Sequence, residues 1–126
     1  MAELKPAYLV SGDDDAKIDA WRARVRRRAE EERGPGGLET FDAQTTEPAE
    51  VAAALDALTF DPGTRYLLVD DAGAWKAPAL APVESALTAL PADTVLVLIV
   101  RGKAPKQLRA AVEKAGGETR EYAAPK

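Results

Sequence analysis

Short apolar runs alternate along this chain with longer stretches in which apolar residues recur every three or four positions, and that alternation predicts strands interleaved with helices. Ala7-Tyr8-Leu9-Val10, between Pro6 and Ser11-Gly12, reads as a buried strand that delivers the chain into a loop. From about Asp14, the residues Ile18, Trp21, Val25 and Ala29 fall at helical spacing, behind Asp residues suited to a helix N-terminus. Gly34-Pro35-Gly36-Gly37 stops that helix, and Leu38-Glu39-Thr40-Phe41-Asp42 alternates as a half-buried strand does. Thr46 is placed to cap a second helix with Pro48 in its first turn. Val51, Ala54, Leu55 and Leu58 give its apolar face, and its end is expected near Thr59-Phe60.

Asp61-Pro62-Gly63 is a turn signal, and Tyr66-Leu67-Leu68-Val69 is then apolar on both faces, as a strand covered by helices on each side must be. That strand ends in Asp70-Asp71. Leu80, Val83, Leu87 and Leu90 predict a third helix, which Pro91 separates from the strand Val95 to Val100. Pro105 suits the first turn of a fourth helix with Leu108, Ala111, Val112 and Ala115 as its buried stripe. Gly116-Gly117 supplies a left-handed exit to a last strand, Thr119 to Tyr122. Five strands alternating with four helices predict an α/β domain whose five-stranded, mostly parallel sheet is sandwiched by helices, because parallel strands need crossover connections.

Composition narrows what such a domain can do. The 126 residues suit one domain, and 46% hydrophobic content suffices for a core. Seventeen Lys and Arg against twenty-one Asp and Glu leave a net charge of -4, so no broad cationic surface is offered to nucleic-acid backbones. With no Cys and no His, the chain has no disulfide, no thiolate metal site and none of the commonest general base. The longest apolar run, Val95 to Val100, is too short to span a bilayer, and no charged segment followed by an apolar stretch opens the chain, so a cytoplasmic protein without membrane contact is expected. Ending directly after the last strand is what a domain cut from a longer protein would do.

In open α/β sheets ligands bind beyond the carboxyl ends of the strands, so the loop after the first strand is the place to look. A phosphate loop reads Gly-x-x-x-x-Gly-Lys-Ser/Thr, with backbone N–H groups converging on the anion. Here the segment is Ser11-Gly12-Asp13-Asp14-Asp15-Ala16-Lys17. It keeps one glycine and a lysine, lacks the second glycine and the hydroxyl residue, and sets three carboxylates where a triphosphate would sit. Nucleotide binding is disfavoured by shape and by charge, and neither cofactor nor metal is expected. Leu67-Leu68-Val69-Asp70-Asp71 has the form of the strand whose terminal acid holds Mg²⁺ in P-loop enzymes, yet without a phosphate loop that acid has no metal–nucleotide to hold.

The same acids allow another reading. Asp13-Asp14, Asp70 and Lys103 are the residue types of a phospho-receiver domain, although Lys103 follows the fourth strand and position 101 is Arg where a receiver needs Ser or Thr. Arg22, Arg24, Arg26, Arg27 and Arg28 form a basic run on the first helix; local pairs at four-residue spacing, Arg27 with Glu31 and Arg28 with Glu32, make it a solvated face. Phe60 sits beside a turn that directs the chain to solvent, where it is either a staple folded back on its helix or an exposed anchor.

Three segments in order resemble the delta subunit of the bacterial DNA polymerase III clamp loader: Pro6 to Asp14, the Leu58-Thr59-Phe60 to Tyr66-Leu67-Leu68-Val69 junction, and Asp93 to Leu98. The first follows that family's Pro-x-Tyr-Leu-x-x-Gly-x-Asp opening, and the stretch from Lys103 to Gly117 fits as well. The resemblance implies an AAA+-like N-terminal domain across residues 1–126, with the outline of an ATPase but no ATPase activity, belonging to a longer three-domain subunit of the polymerase holoenzyme. It implies that the partner is the ring-shaped sliding clamp (the beta subunit), that other loader subunits are met through the further domains, and that DNA is met only through the complex. Family members press an apolar Leu-Phe pair into a clamp pocket. Phe60 matches the aromatic, Thr59 replaces the Leu, and Leu58 is the alternative aliphatic partner.

Overall fold

A computed structural model describes residues 5–57, 63–91 and 93–122. The strands are β1 (Ala7–Gly12), β2 (Leu38–Asp42), β3 (Arg65–Asp70), β4 (Thr94–Arg101) and β5 (Glu118–Tyr122). The helices are α1 (Asp15–Arg33), α2 (Pro48–Asp56), α3 (Ala81–Leu87) and α4 (Lys106–Lys114). The strands form one sheet in the order β2-β3-β4-β1-β5. Every strand pairing is parallel, so the expected fold class holds and "mostly parallel" becomes wholly parallel.

The apolar runs owe their composition to this geometry, since alternate residues of a strand face opposite sides. On one side Leu9, Leu67, Val69, Leu96 and Leu98 pack with Val51 and Leu55 of α2, Val83 of α3, and Leu108 and Val112 of α4. On the other side Tyr8, Val10, Leu68, Val97 and Ile99 pack with Ile18 and Ala29 of α1, with Trp21 and Val25 at the margin. Three helices therefore cover one face and a single long helix the other. Nineteen residues give α1 a length of roughly 28 Å, enough to run along most of the sheet.

Element ends depart from expectation where local hydrogen bonds decide them. Glu47, not Thr46, occupies the N-cap position of α2, and its N–H donates to the Glu50 carboxylate at 3.4 Å. The carbonyl of Thr46 instead accepts the indole N–H of Trp75 at 2.8 Å. Helix α2 ends at Asp56, short of Leu58, because Ala57 turns to extended backbone. The third helix opens as a 3-10 turn over Ala77–Leu80, leaving Leu90 beyond α3 but still packed on the core. Pro105 stands at the N-cap of α4 rather than in its first turn, and Gly116, at φ 86°, makes the left-handed exit into β5.

Candidate functional site

The ends of β1, β4 and β3 lie side by side at the carboxyl edge of the sheet, with β4 in the middle. That arrangement brings together the loop after β1, Arg101, and the Asp70-Asp71 pair. In the last β1 pairing Gly12 sits opposite Arg101.

The loop is closed by the chain itself. Gly12 and Gly102 exchange both N–H to carbonyl bonds, at 2.9 and 2.7 Å. The N–H groups of Asp13 and Asp14 both donate to the carbonyl of Tyr122, each at 3.1 Å. The Asp14 carboxylate caps α1 by accepting from the Lys17 N–H at 3.2 Å, and the Ile18 N–H donates to the Asp14 carbonyl. These are the donors that a working phosphate loop would aim at an anion. Gly12, at φ 124°, permits the closure: a Cβ there would lie 2.0 Å from the Tyr122 oxygen. The Lys17 ammonium stands 5.7 Å from the centre of the Tyr122 ring, Ala16 is exposed, and Ser11 is buried within β1. The residues expected at the degenerate loop thus lie together, with the N–H groups of Gly12, Asp13, Asp14 and Lys17 engaged.

A network of charges covers the rest of the edge. Arg22 of α1 bonds the Asp70 carboxylate at the end of β3 and the Asp19 carboxylate on its own helix. Arg101 bonds Asp15 and approaches Asp19 at 3.8 Å and Asp71 at 3.9 Å. The side-chain amide of Gln44 donates to Asp71 at 3.4 Å, and Asp71 itself sits in the left-handed region at φ 54°. Asp70 and Asp71, at the position that would hold Mg²⁺ in a P-loop enzyme, are thus spanned by two guanidinium groups. The basic run is accordingly not a wholly solvated face: Arg22 is a structural bridge. Of the two helical pairs, Arg28 and Glu32 meet at 3.1 Å, whereas Arg27–Glu31 is not among the ion pairs of the described residues.

Sequence reasoning missed both this network and the role of Tyr122. The signal for the network was present, since Asp13 to Asp15, Asp70-Asp71 and Arg101 all follow strand ends that a parallel sheet places on one edge. Nothing local could reveal the Tyr122 contact, which joins residues more than a hundred positions apart. The phospho-receiver reading fails on topology. A receiver sheet runs in the order 2-1-3-4-5, with its first strand between the second and third, whereas here β1 lies between β4 and β5.

Leu58, Thr59 and Phe60 lie outside the described residues. Of the residues on either side, Ala57 closes α2, and Gly63 and Thr64 lead into the amino end of β3, where the Arg65 N–H donates to the Asp93 carbonyl at 2.7 Å. That is the edge opposite the loop. Between α3 and α4 the same edge opens into a trough of about 920 Å³, floored by Leu87, Leu90 and Ala111 and rimmed by Glu84 and Lys114. On the face covered by α1, near the amino end of β3, the buried Tyr66 hydroxyl donates to Glu32 at 2.6 Å and accepts from Arg28 at 3.2 Å. Burial, and then the bond to Glu32, raise its pKa above the ordinary tyrosine value.

The geometry defines a parallel α/β domain whose loop after β1, at the carboxyl edge of the sheet, is closed by its own chain. Among solved structures it is similar to the Bacillus subtilis DNA clamp loader delta protein (YqeN), with a TM-score of 0.75 and 18% sequence identity over 96% of this chain. The chain spans 39% of the length of that protein, and at this identity the likeness is one of fold. No family model and no curated protein sequence matches the chain. Among the described residues no helix is long and apolar enough to cross a membrane.

Proposed function

We propose that this chain is a non-catalytic delta-type domain of a bacterial clamp loader, which binds the ring-shaped sliding clamp and helps open it for loading onto DNA during replication. The observation that carries the reading is the fold shared with a clamp loader delta protein over 96% of the chain, in a domain whose loop N–H groups are already bonded to its own carbonyl and carboxylate oxygens. A domain built this way transmits no nucleotide state of its own; it offers a surface. Contacts with other loader subunits, and with DNA through the assembly, belong to the remaining domains of a longer subunit in a cytoplasmic complex.

The gripping element is the Leu58-Thr59-Phe60 segment, with Phe60 as the main anchor, Leu58 supporting it and Thr59 at the rim. An aromatic ring held in a clamp pocket supplies about 2–4 kcal/mol, as interface anchors do. Surface plasmon resonance against the same organism's clamp tests this. Phe60→Ala should weaken binding roughly thirtyfold or more, with the melting temperature nearly unmoved. A melt lowered by many degrees would make Phe60 a core staple, and an unchanged affinity would place the grip elsewhere. Isothermal titration with Mg-ATP should give no saturable heat at dissociation constants below roughly 100 μM.

A further inference from the structure

Tyr122 makes three separate contacts with the start of α1 and the loop before it. Its carbonyl accepts the Asp13 and Asp14 N–H groups, its hydroxyl accepts the Trp21 indole N–H at 2.8 Å, and its ring lies under the Lys17 ammonium. Trp21 is fixed in turn against Tyr8 of β1, with ring centroids 5.3 Å apart, and the Arg24 guanidinium lies over its ring at 5.1 Å. The contacts engage three different parts of one residue and reach α1 at two successive turns.

We propose that Tyr122 is an internal clasp that does for this loop what a bound phosphate does in a nucleotide-binding relative: it orders the loop after β1 and fixes α1 to the sheet. The physical requirement is the same in both cases. Two N–H groups at the start of a helix need an acceptor, and the helix dipole favours negative charge or a carbonyl oxygen there. Here the acceptor is covalently part of β5, so the loop is ordered permanently rather than by occupancy. A second consequence follows from the side chain. Because hydroxyl and ring hold Trp21 and Lys17, the direction in which the chain leaves β5 is coupled to the position of α1, and through Arg22 to the end of β3. The end of β5 and the first turns of α1 therefore move as one unit.

Amide hydrogen exchange followed by NMR on the whole chain tests the clasp, with amides at the centres of β3 and β4 as internal references. In the unmodified protein the Asp13 and Asp14 amides should be protected. Tyr122→Ala, which removes ring and hydroxyl while leaving the carbonyl, should accelerate both by at least about tenfold through local opening. Tyr122→Phe, which removes only the bond to Trp21, should accelerate them less. References that stay slow in all three proteins complete the expected result. The proposal is overturned if the two amides exchange freely in the unmodified protein or are indifferent to Tyr122→Ala. It is overturned equally if the references accelerate in step with them, since Tyr122 would then contribute only to global stability.

Discussion

The two edges of the sheet differ more than its two faces do. At the carboxyl edge, Arg22 and Arg101 are bonded to carboxylates and the loop N–H groups to oxygens, so the place where open α/β sheets hold ligands is shut. At the amino edge, the trough between α3 and α4 stands open, with Leu87, Leu90 and Ala111 on its floor and Glu84 and Lys114 on its rim. One parallel sheet thus carries a densely bonded edge and an open one. Closure has a physical cost only if its parts are disturbed, and that asymmetry makes the comparison testable.

The largest effect should come from Gly12→Ala. A Cβ at this position meets the Tyr122 carbonyl, and φ of 124° is unsuited to any side chain. The expected loss is at least about 3 kcal/mol, read as a fall of roughly 10 °C or more in melting temperature. A nearly unchanged melt would mean that β5 does not close the loop. Next, Arg22→Ala should cost about 1–2 kcal/mol by leaving Asp70 without its cation. Chemical denaturation with urea at low salt and at about 1 M NaCl should show the difference narrowing as charges are screened; a salt-independent loss would assign Arg22 to packing instead.

Tyr66→Phe probes a buried group under α1, away from the carboxyl edge, and should cost about 1 kcal/mol, the net worth of its hydrogen bonds. Its pH dependence has a definite sign. The folded-state pKa of Tyr66 is raised, so its contribution is fully present below pH of about 10 and is lost as pH rises through the folded value. Stability of the unmodified protein should therefore fall above that pH with a component that the Phe variant lacks. The smallest effect is expected at the open edge. Lys114→Ala, on the rim of the trough, should alter stability by no more than about 0.5 kcal/mol. A loss above about 1 kcal/mol would show that the trough rim is as tightly bound as the closed edge, and would end the contrast.

Most of the fold was legible because the three central strands are buried on both faces and the helices are amphipathic. Tyr66 to Val69 and Val95 to Val100 carry apolar residues on both faces, and that can be read without knowing their neighbours. Element ends were less legible, since they depend on local bonds such as that of the Glu47 N–H to the Glu50 carboxylate, which puts the N-cap of α2 one residue past Thr46. At the carboxyl edge the departure of Ser11 to Lys17 from a phosphate-loop pattern is visible in the sequence itself. What closes that edge is not, because Tyr122 lies far along the chain and an arginine within a basic run gives no local sign that it reaches across to β3. The basic run looked solvated for that reason, whereas Arg22 reaches Asp70 and Arg28 the Tyr66 hydroxyl.

The placement of the two tryptophans has a practical consequence. Trp75 is packed in the layer shared by α2, α3 and α4, and Trp21 in the layer under α1, so each face of the sheet carries one of the chain's two indoles. Single Trp→Phe variants would leave one fluorophore per layer, and the unfolding of the two faces could then be followed separately by emission alone. Coincident curves would establish that the domain melts as one cooperative unit, and divergent curves that the single-helix face opens on its own.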